Sequence, residues 1–485
     1  CIGVVVVKTT GPIQGLVLAV IITVAVDLCL KGESQVVLLS VFVLAFLITL
    51  LLRQHITLLI TAMCLAALSA NVFVPPGETT ALEEAPEAVV RTELPPVIHI
   101  ILDEYMGVDA LPGGVGGNLR SDTIELFVNN GFNLSGGAYS QYFTTYNSIG
   151  NTLNYASSNV DAWAYLEAKE PYTLTSSAYF EQLASQGYRF RIYQSSFLDY
   201  CRVPGISYRS CSTYAAESIK YVESLQIPAH EKAGFILSDF WRLSALRATF
   251  RAAYNRALGG SSLLARSLPF WSNRITSFGP LPALQTFARL AEDVSTSPGG
   301  EVFFAHLLIP HSAYILDENC AVHADTRQWR TRLITEHASE RPNTHASRLL
   351  TYGAYVKQLR CTNRLLGDFF AELETSGQFG RSTIVIHGDH GSRINLTWPT
   401  KANLEHLVDS DFTDGFPTLF ALKSPGTLAG FARDRSTLSA LLAEAMGVQG
   451  PDDPRVFLYA GGEQPLLSHP MPSAWMAPRS LSSAR

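Results

Sequence analysis

Charge is scarce in this chain. Asp, Glu, Lys and Arg make up 16% of its 485 residues, against about a quarter in an ordinary soluble domain. Hydrophobic residues reach 47%, which excludes a disordered chain. Basic residues are not in excess either. The net charge is −6, so there is no electrostatic footprint for nucleic acid. No CxxC pair occurs among the 7 cysteines, which argues against a thiolate metal site. No internal repeat is visible, and this excludes a solenoid or propeller. The first residue is Cys1 rather than Met, as expected of a sequence that starts inside a longer chain.

The apolar excess is concentrated in residues 1–75. Three stretches follow one another at 11–30, 36–52 and 56–74, and Asp27 is their one charge. At 1.5 Å rise per residue, roughly 20 residues cross a bilayer core of about 30 Å. A buried hairpin in a soluble core is the other reading, but three runs with almost no polar face go against it. A signal peptide would supply one run, not three. We therefore expect a transmembrane region of about three helices. Lys8 and Arg53 fall on one side, with Lys31 and Glu33 on the other. The positive-inside rule puts Lys8 and Arg53 in the cytoplasm. Everything after the third span then lies outside an inner (plasma) membrane that the chain crosses several times.

Cysteine placement gives an independent reading of compartment. Cys29 and Cys64 lie in the apolar stretches, and Cys201, Cys211, Cys320 and Cys361 lie beyond them. An even number there suits an oxidising compartment. Three pairings are open. Cys201–Cys211 is favoured because it brackets the turn-rich loop VPGISYRS, and Cys320–Cys361 then follows.

Residues 76–96, PGETTALEEAPEAVVRTELPP, are rich in Pro and Glu and read as an extended linker. Beyond them short apolar runs alternate with helical patterns. That predicts an α/β domain over 97–465, a mostly parallel sheet flanked by helices. VIHIIL (97–102), YRFRIY (188–193), EVFFAHLL (301–308), STIVI (382–386) and PTLFAL (417–422) are the expected strands. Helices are expected at 179–186, 347–376 and 436–446. Residues 216–300 look helical and basic and read as an insertion or cap. Residues 466–485 read as a flexible tail.

In such sheets, ligands bind beyond the carboxyl ends of the strands. VIHIIL is followed at once by Asp103 and Glu104. STIVI is followed by HGDHG, which contains His387, Asp389 and His390. EVFFAHLL is followed by Ile309-Pro310-His311. An acid after a strand is often only a helix cap. Three strands ending in Asp, Glu or His together point to a divalent metal held by carboxylate and imidazole, with Zn²⁺ or Mn²⁺ fitting best and Mg²⁺ or Ca²⁺ as other choices. The tract 139–154, YSQYFTTYNSIGNTLN, is crowded with hydroxyls and opens a helix after Thr145. A nearby metal and a helix N-terminus both favour a hydroxyl's anion. A Ser/Thr-rich loop with an ordinary cap is the plain alternative.

The order of these pieces resembles the alkaline phosphatase-like superfamily, in its sulfatase-like membrane branch. That branch includes lipoteichoic acid synthases and phosphoethanolamine transferases. The resemblance rests on VIHIILDEYMG, YFTTYNSIGNTLN, PHSAY and GDHG, in that order, and covers nearly the whole chain. It implies metal ligation by Asp103, Asp389 and His390, with Thr145 as a nucleophile that also touches the metal. Thr144 is the chief rival nucleophile and Ser148 the third. His311 matches a histidine on the substrate or leaving group. Glu104 sits where sulfatases carry a second carboxylate ligand, and Arg393 is a candidate to hold an anionic oxygen.

The implied reaction moves a phosphoethanolamine or phosphoglycerol group from a phospholipid to a cell-envelope glycan or lipid-glycan, through a phospho-threonine. Two departures narrow this. The C/S-x-P-x-R motif of true sulfatases is missing; Cys201-Arg202-Val203-Pro204 has the wrong spacing. No clear Asp-x-x-x-His segment supplies a second metal, so one ion is expected, with His323, His345 and His406 unassigned. A sulfatase-like hydrolase of phosphate or sulfate esters, and a degenerate membrane-anchored scaffold, are the alternative functions.

Overall fold

The structure is a computed structural model. It describes residues 15–16, 19–20, 22–23, 35–51, 91–158, 162–164, 172–216, 221–222, 225–243, 278–330, 345–395, 397–458 and 467–472. The chain divides into two compact units, Cys1–Glu78 with Val222–Thr276, and Thr79–Tyr221 with Ser277–Arg485.

In the first unit the second apolar stretch forms a helix, Gln35–Leu51, of 17 residues without a charged side chain. Much of its apolar surface is exposed, including Leu39, Leu44 and Leu51. The first and third stretches lie largely outside the described residues. Among the described residues no helix is long and apolar enough to cross a membrane. Ala229–Leu243, from the basic stretch, is also helical.

The second unit is built on an eight-stranded sheet. Its strands are β1 (Val97–Leu102), β2 (Asn133–Tyr139), β3 (Arg189–Ser195), β4 (Tyr208–Tyr214), β5 (Glu301–Leu307), β6 (Thr383–His387), β7 (Phe420–Lys423) and β8 (Gly430–Thr437). Their order across the sheet is β8-β2-β7-β6-β1-β5-β3-β4. Only β7 runs antiparallel to its neighbours. The sheet is therefore mixed but mostly parallel, as the sequence texture implies. Every residue of β1 and β5 is buried. Continuous apolar runs of this kind mark central strands covered on both faces.

The helices that matter for the site are α1 (Thr145–Thr152), α2 (Pro280–Ser295), α3 (His345–Thr375) and α4 (Asp409–Gly415). Two features differ from the sequence reading. Helix α2 falls within 216–300 but belongs to the same unit as the sheet. Its buried face, with Phe287, Leu290 and Val294, makes it a covering helix. Leu467–Pro470, expected in the tail, pairs antiparallel with Arg455–Leu458, whose backbone gives it a ladder to join.

β1 lies between β6 and β5 and is parallel to both. Ile101 pairs with His387 and Leu102 with Leu307. The three carboxyl ends therefore emerge side by side, and the residues just past each strand meet at one edge.

Below this edge two imidazoles bridge β1 and β6. His99 Nε2 and His387 Nε2 are 2.7 Å apart. His387 Nδ1 lies 2.8 Å from the Gly388 carbonyl, which can only accept, so Nδ1 donates. Nε2 of His387 then accepts from His99. Burial drives the pKa of both imidazoles down, that of His387 to about 4. In the unfolded chain an imidazole protonates below about 6.5. The pair's contribution is thus present above pH 6.5 and fades as pH falls towards 4. His387→Gln should shrink the loss of unfolding free energy between pH 7 and pH 5 by about 2 kcal/mol. Denaturant titrations in excess chelator measure this; equal losses in both proteins would refute it.

Candidate active site

Asp103 follows β1 directly. Its backbone N–H donates to the Leu307 carbonyl at 3.0 Å, which fixes the carboxylate over the β1–β5 seam. Asp389 and His390 follow β6 in the turn Gly388-Asp389-His390-Gly391. Both glycines are required there by close packing. A Cβ on Gly388 would sit 2.3 Å from Thr418 Oγ1, and one on Gly391 2.3 Å from the Asp414 carbonyl. Gly391 N–H donates to Gly415 O and Arg393 N–H to Asp414 O, both at 2.9 Å, so α4 holds the turn from below. Arg348 and Tyr352 of α3 in turn hold the Asp414 carboxylate.

The turn and β1 put three carboxylate and imidazole groups in contact. His390 Nε2 lies 2.9 Å from Asp389 Oδ2 and 3.9 Å from Asp103 Oδ1. His306, on β5, brings its Nε2 to 3.4 Å from Asp103 Oδ2. The sequence reading did not single out His306. Its signal was a histidine inside an otherwise apolar strand that pairs with β1. His323 and His406 join no donor group among the described residues.

Thr145 is the first residue of α1, and its Oγ1 lies 3.2 Å from His390 Nε2. The two rival hydroxyls are engaged elsewhere. Thr144 is the cap residue and accepts from Asn147 at 3.0 Å. Ser148 is buried, takes a hydrogen bond from Ser140 and donates to the Asp389 carbonyl. It therefore ties α1 to the Gly388–Gly391 turn. Thr145 is half-buried and reachable, and the helix N-terminus favours negative charge on it.

The donor set can be tested for a cation on its own geometry. His390 Nδ1 lies 2.9 Å from the Gly391 carbonyl and so must donate. Burial, with Arg393 added, pushes the His390 pKa down against the pull of Asp389 and Asp103. With Nδ1 donating, a neutral ring turns its Nε2 lone pair towards a carboxylate oxygen 2.9 Å away and the Thr145 hydroxyl at 3.2 Å. A cation between that nitrogen and that oxygen would satisfy both. Asp389 Oδ2 and Asp103 Oδ1 are buried without a hydrogen bond, and such oxygens are costly to leave unpaired. Ligands about 2.0–2.2 Å from one ion lie roughly 3–4 Å apart. The Asp103, His306 and Asp389 ligand atoms all lie within 4.8 Å of one another. The residues fit a divalent ion held by Asp103, His306, Asp389 and His390.

Burial alone would raise the pKa of Asp103. His311, His306 and His390 outweigh it and hold the carboxyl well below the ordinary range. His311 has its Nε2 3.6 Å from Glu104 Oε1 and its own carbonyl bound by Gln358 at 2.9 Å. Burial lowers its pKa as well, against the pull of Asp103. Arg393 donates from Nε and Nη2 to Glu104 Oε1 at 3.2 and 2.9 Å. Both expected disulfides form: Cys201–Cys211 next to β4, and Cys320–Cys361 between the segment after His311 and α3. The first uses up the sulfurs near Asp199, so that group is no metal site.

Neither a family model nor a curated protein matches the chain. Solved structures do. The chain is similar to the phosphonate monoester hydrolase of Agrobacterium radiobacter, with 11% identity, a TM-score of 0.43, and coverage of 75% of this chain and 80% of that one. It is also similar to the C-terminal periplasmic domain of EcEptC from Escherichia coli in complex with Zn, with 12% identity, a TM-score of 0.42, and coverage of 81% and 96%. A third is the lipoteichoic acid synthase LtaP from Listeria monocytogenes, with 12% identity, a TM-score of 0.38, and coverage of 73% and 72%. At such identities the residues of the site itself are what a functional reading can stand on.

Proposed function

We propose that this protein is a membrane-anchored transferase that moves a phosphoethanolamine or phosphoglycerol group from a phospholipid to a cell-envelope glycan or lipid-glycan. The observation that carries the reading is Thr145 Oγ1, 3.2 Å from His390 Nε2 and beside Asp103 Oδ1 and Asp389 Oδ2, two buried carboxylate oxygens without a hydrogen bond. A divalent ion held there supplies the positive charge that lowers a hydroxyl's pKa and neutralises charge on phosphoryl oxygens.

Thr145 Oγ1 attacks the phosphorus, and the bond from phosphorus to the diacylglycerol oxygen breaks. The proton that leaves Thr145 ends on that oxygen, with neutral His311 as its carrier. An acceptor hydroxyl then attacks the phospho-threonine, gives its proton to His311, and Thr145 recovers its own. Arg393 and the α1 N-terminus bind the anionic oxygens. The three apolar stretches keep the site beside its lipid donor, and the charge asymmetry around them supports an outward-facing domain.

The test is direct. After incubation with phosphatidylethanolamine or phosphatidylglycerol, the peptide carrying Thr145 should bear the head-group mass adduct. An adduct on Thr144 or Ser148 refutes the assignment. Release of phosphate from a soluble ester, with no adduct from lipid, makes the protein a hydrolase instead.

A further inference from the structure

The site contains two overlapping groups of metal-type donors. One is Asp103, His306 and Asp389, described above. The other is Asp103, Glu104 and His311, whose ligand atoms also lie within 4.8 Å of one another. On donor type alone, a second ion could sit in the second group.

The hydrogen bonds of Glu104 decide otherwise. Its Oε1 accepts from Arg393 Nε and Nη2 at 3.2 and 2.9 Å. Its Oε2 accepts from the Ser312 N–H at 3.0 Å and the Tyr314 hydroxyl at 3.3 Å. A carboxylate offers about four lone-pair positions. All four are filled by protein donors, and two of those belong to a guanidinium. The backbone is committed to this pairing. Glu104 has φ 66° and Arg393 φ 54°, a region that non-glycine residues seldom enter. The Glu104 N–H donates to Asp389 Oδ1 at 3.1 Å, its carbonyl accepts from the Tyr355 hydroxyl at 2.8 Å, and the Arg393 N–H is held by Asp414. The Phe143 ring lies 6.0 Å from the guanidinium carbon. Two of five guanidinium N–H groups go to Glu104, so the fork keeps donors for an anionic oxygen.

We propose that Arg393 is the resident second cation of this site, seated by Glu104, and that the chain therefore holds one divalent ion where its donors could hold two. This rests on the transferase reading above. In it, the charge that develops on the transferred group's oxygens is met by one exchangeable ion and one fixed guanidinium. Glu104 is a positioning residue and not a ligand.

The full chain in detergent, loaded with Zn²⁺ and freed of excess, gives the test by elemental analysis. One zinc per wild-type chain is expected. Glu104→Gln should keep that zinc and its affinity within about twofold, and should bind inorganic phosphate roughly tenfold more weakly, as loss of a charge-assisted seat implies. Arg393→Met should weaken phosphate by at least as much. Two zinc ions in the wild type, or loss of zinc in Glu104→Gln, overturn the inference while leaving the transferase reading intact. No zinc at all overturns both. Unchanged phosphate affinity in both variants overturns the role of the Arg393–Glu104 pair. The wild-type count stands even if a variant fails to fold.

Discussion

Thr145→Ala should lower turnover by roughly 10³- to 10⁶-fold, the range seen when a covalent nucleophile is removed from an enzyme that keeps its other groups. The covalent adduct should vanish with it. The reason is positional. Thr145 Oγ1 alone among the three rival hydroxyls is hydrogen-bonded to His390 Nε2 among the described residues. Thr145→Ser should keep part of the rate, since it preserves the hydroxyl at the same backbone position. Thr144→Ala is the control. Among the described residues that side chain accepts from Asn147, so its loss should change the rate by less than about fivefold and cost at most about 1–2 kcal/mol, as for a weak cap. Single-turnover assays with labelled lipid and mass spectrometry of the α1 peptide check both. A fully active Thr145→Ala would remove the covalent step from the reading.

Asp389→Asn should weaken metal affinity by more than about 100-fold, since even groups that only orient a ligand cost 10–100-fold when lost. Activity should fall with it and be partly restored by millimolar metal. The effect on folding runs the other way. The amide oxygen can still accept from the Glu104 N–H, as Asp389 Oδ1 does at 3.1 Å. Its NH₂ can satisfy the His390 lone pair that Asp389 Oδ2 faces at 2.9 Å. Without metal, the variant should therefore be as stable as the wild type or more so. With metal at 1,000 times the wild type's dissociation constant, the wild type gains about 4 kcal/mol and a variant weakened 100-fold only about 1.4. Melting curves with and without Zn²⁺ separate the two effects. A variant destabilised equally in both conditions would mean that Asp389 is structural.

Much of this site was legible because its strands are buried on both faces. VIHIIL, EVFFAHLL and STIVI read as strands, and a polar group straight after such a run stands out. β2 and β8 were not legible. NLSGGAY and GFARDRST have little strand propensity. Gly136 and Gly137 are required because β8 crosses so close that a Cβ would meet the Phe431 ring at 2.5 Å and the Asp434 carbonyl at 2.4 Å. That is a tertiary demand, and local pattern cannot show it. His306 looked like part of an apolar run, and only the pairing of β1 with β5 reveals what it faces. The role of Glu104 was hidden for a related reason. Its position after a strand suits a ligand, and the four donors that occupy its oxygens come from residues 208 to 289 positions away.

The spacing of these residues also sets an order in time. The chain is made from its amino end at roughly 5–20 residues per second, and Asp389 follows Glu104 by 285 positions. For about 15–60 s after Asp103 and Glu104 emerge, they have neither the guanidinium nor the turn that completes the site. A nascent chain that has not yet reached His390 lacks part of this donor set, so any divalent ion held there would be taken up in its final geometry only after residue 390 has been made.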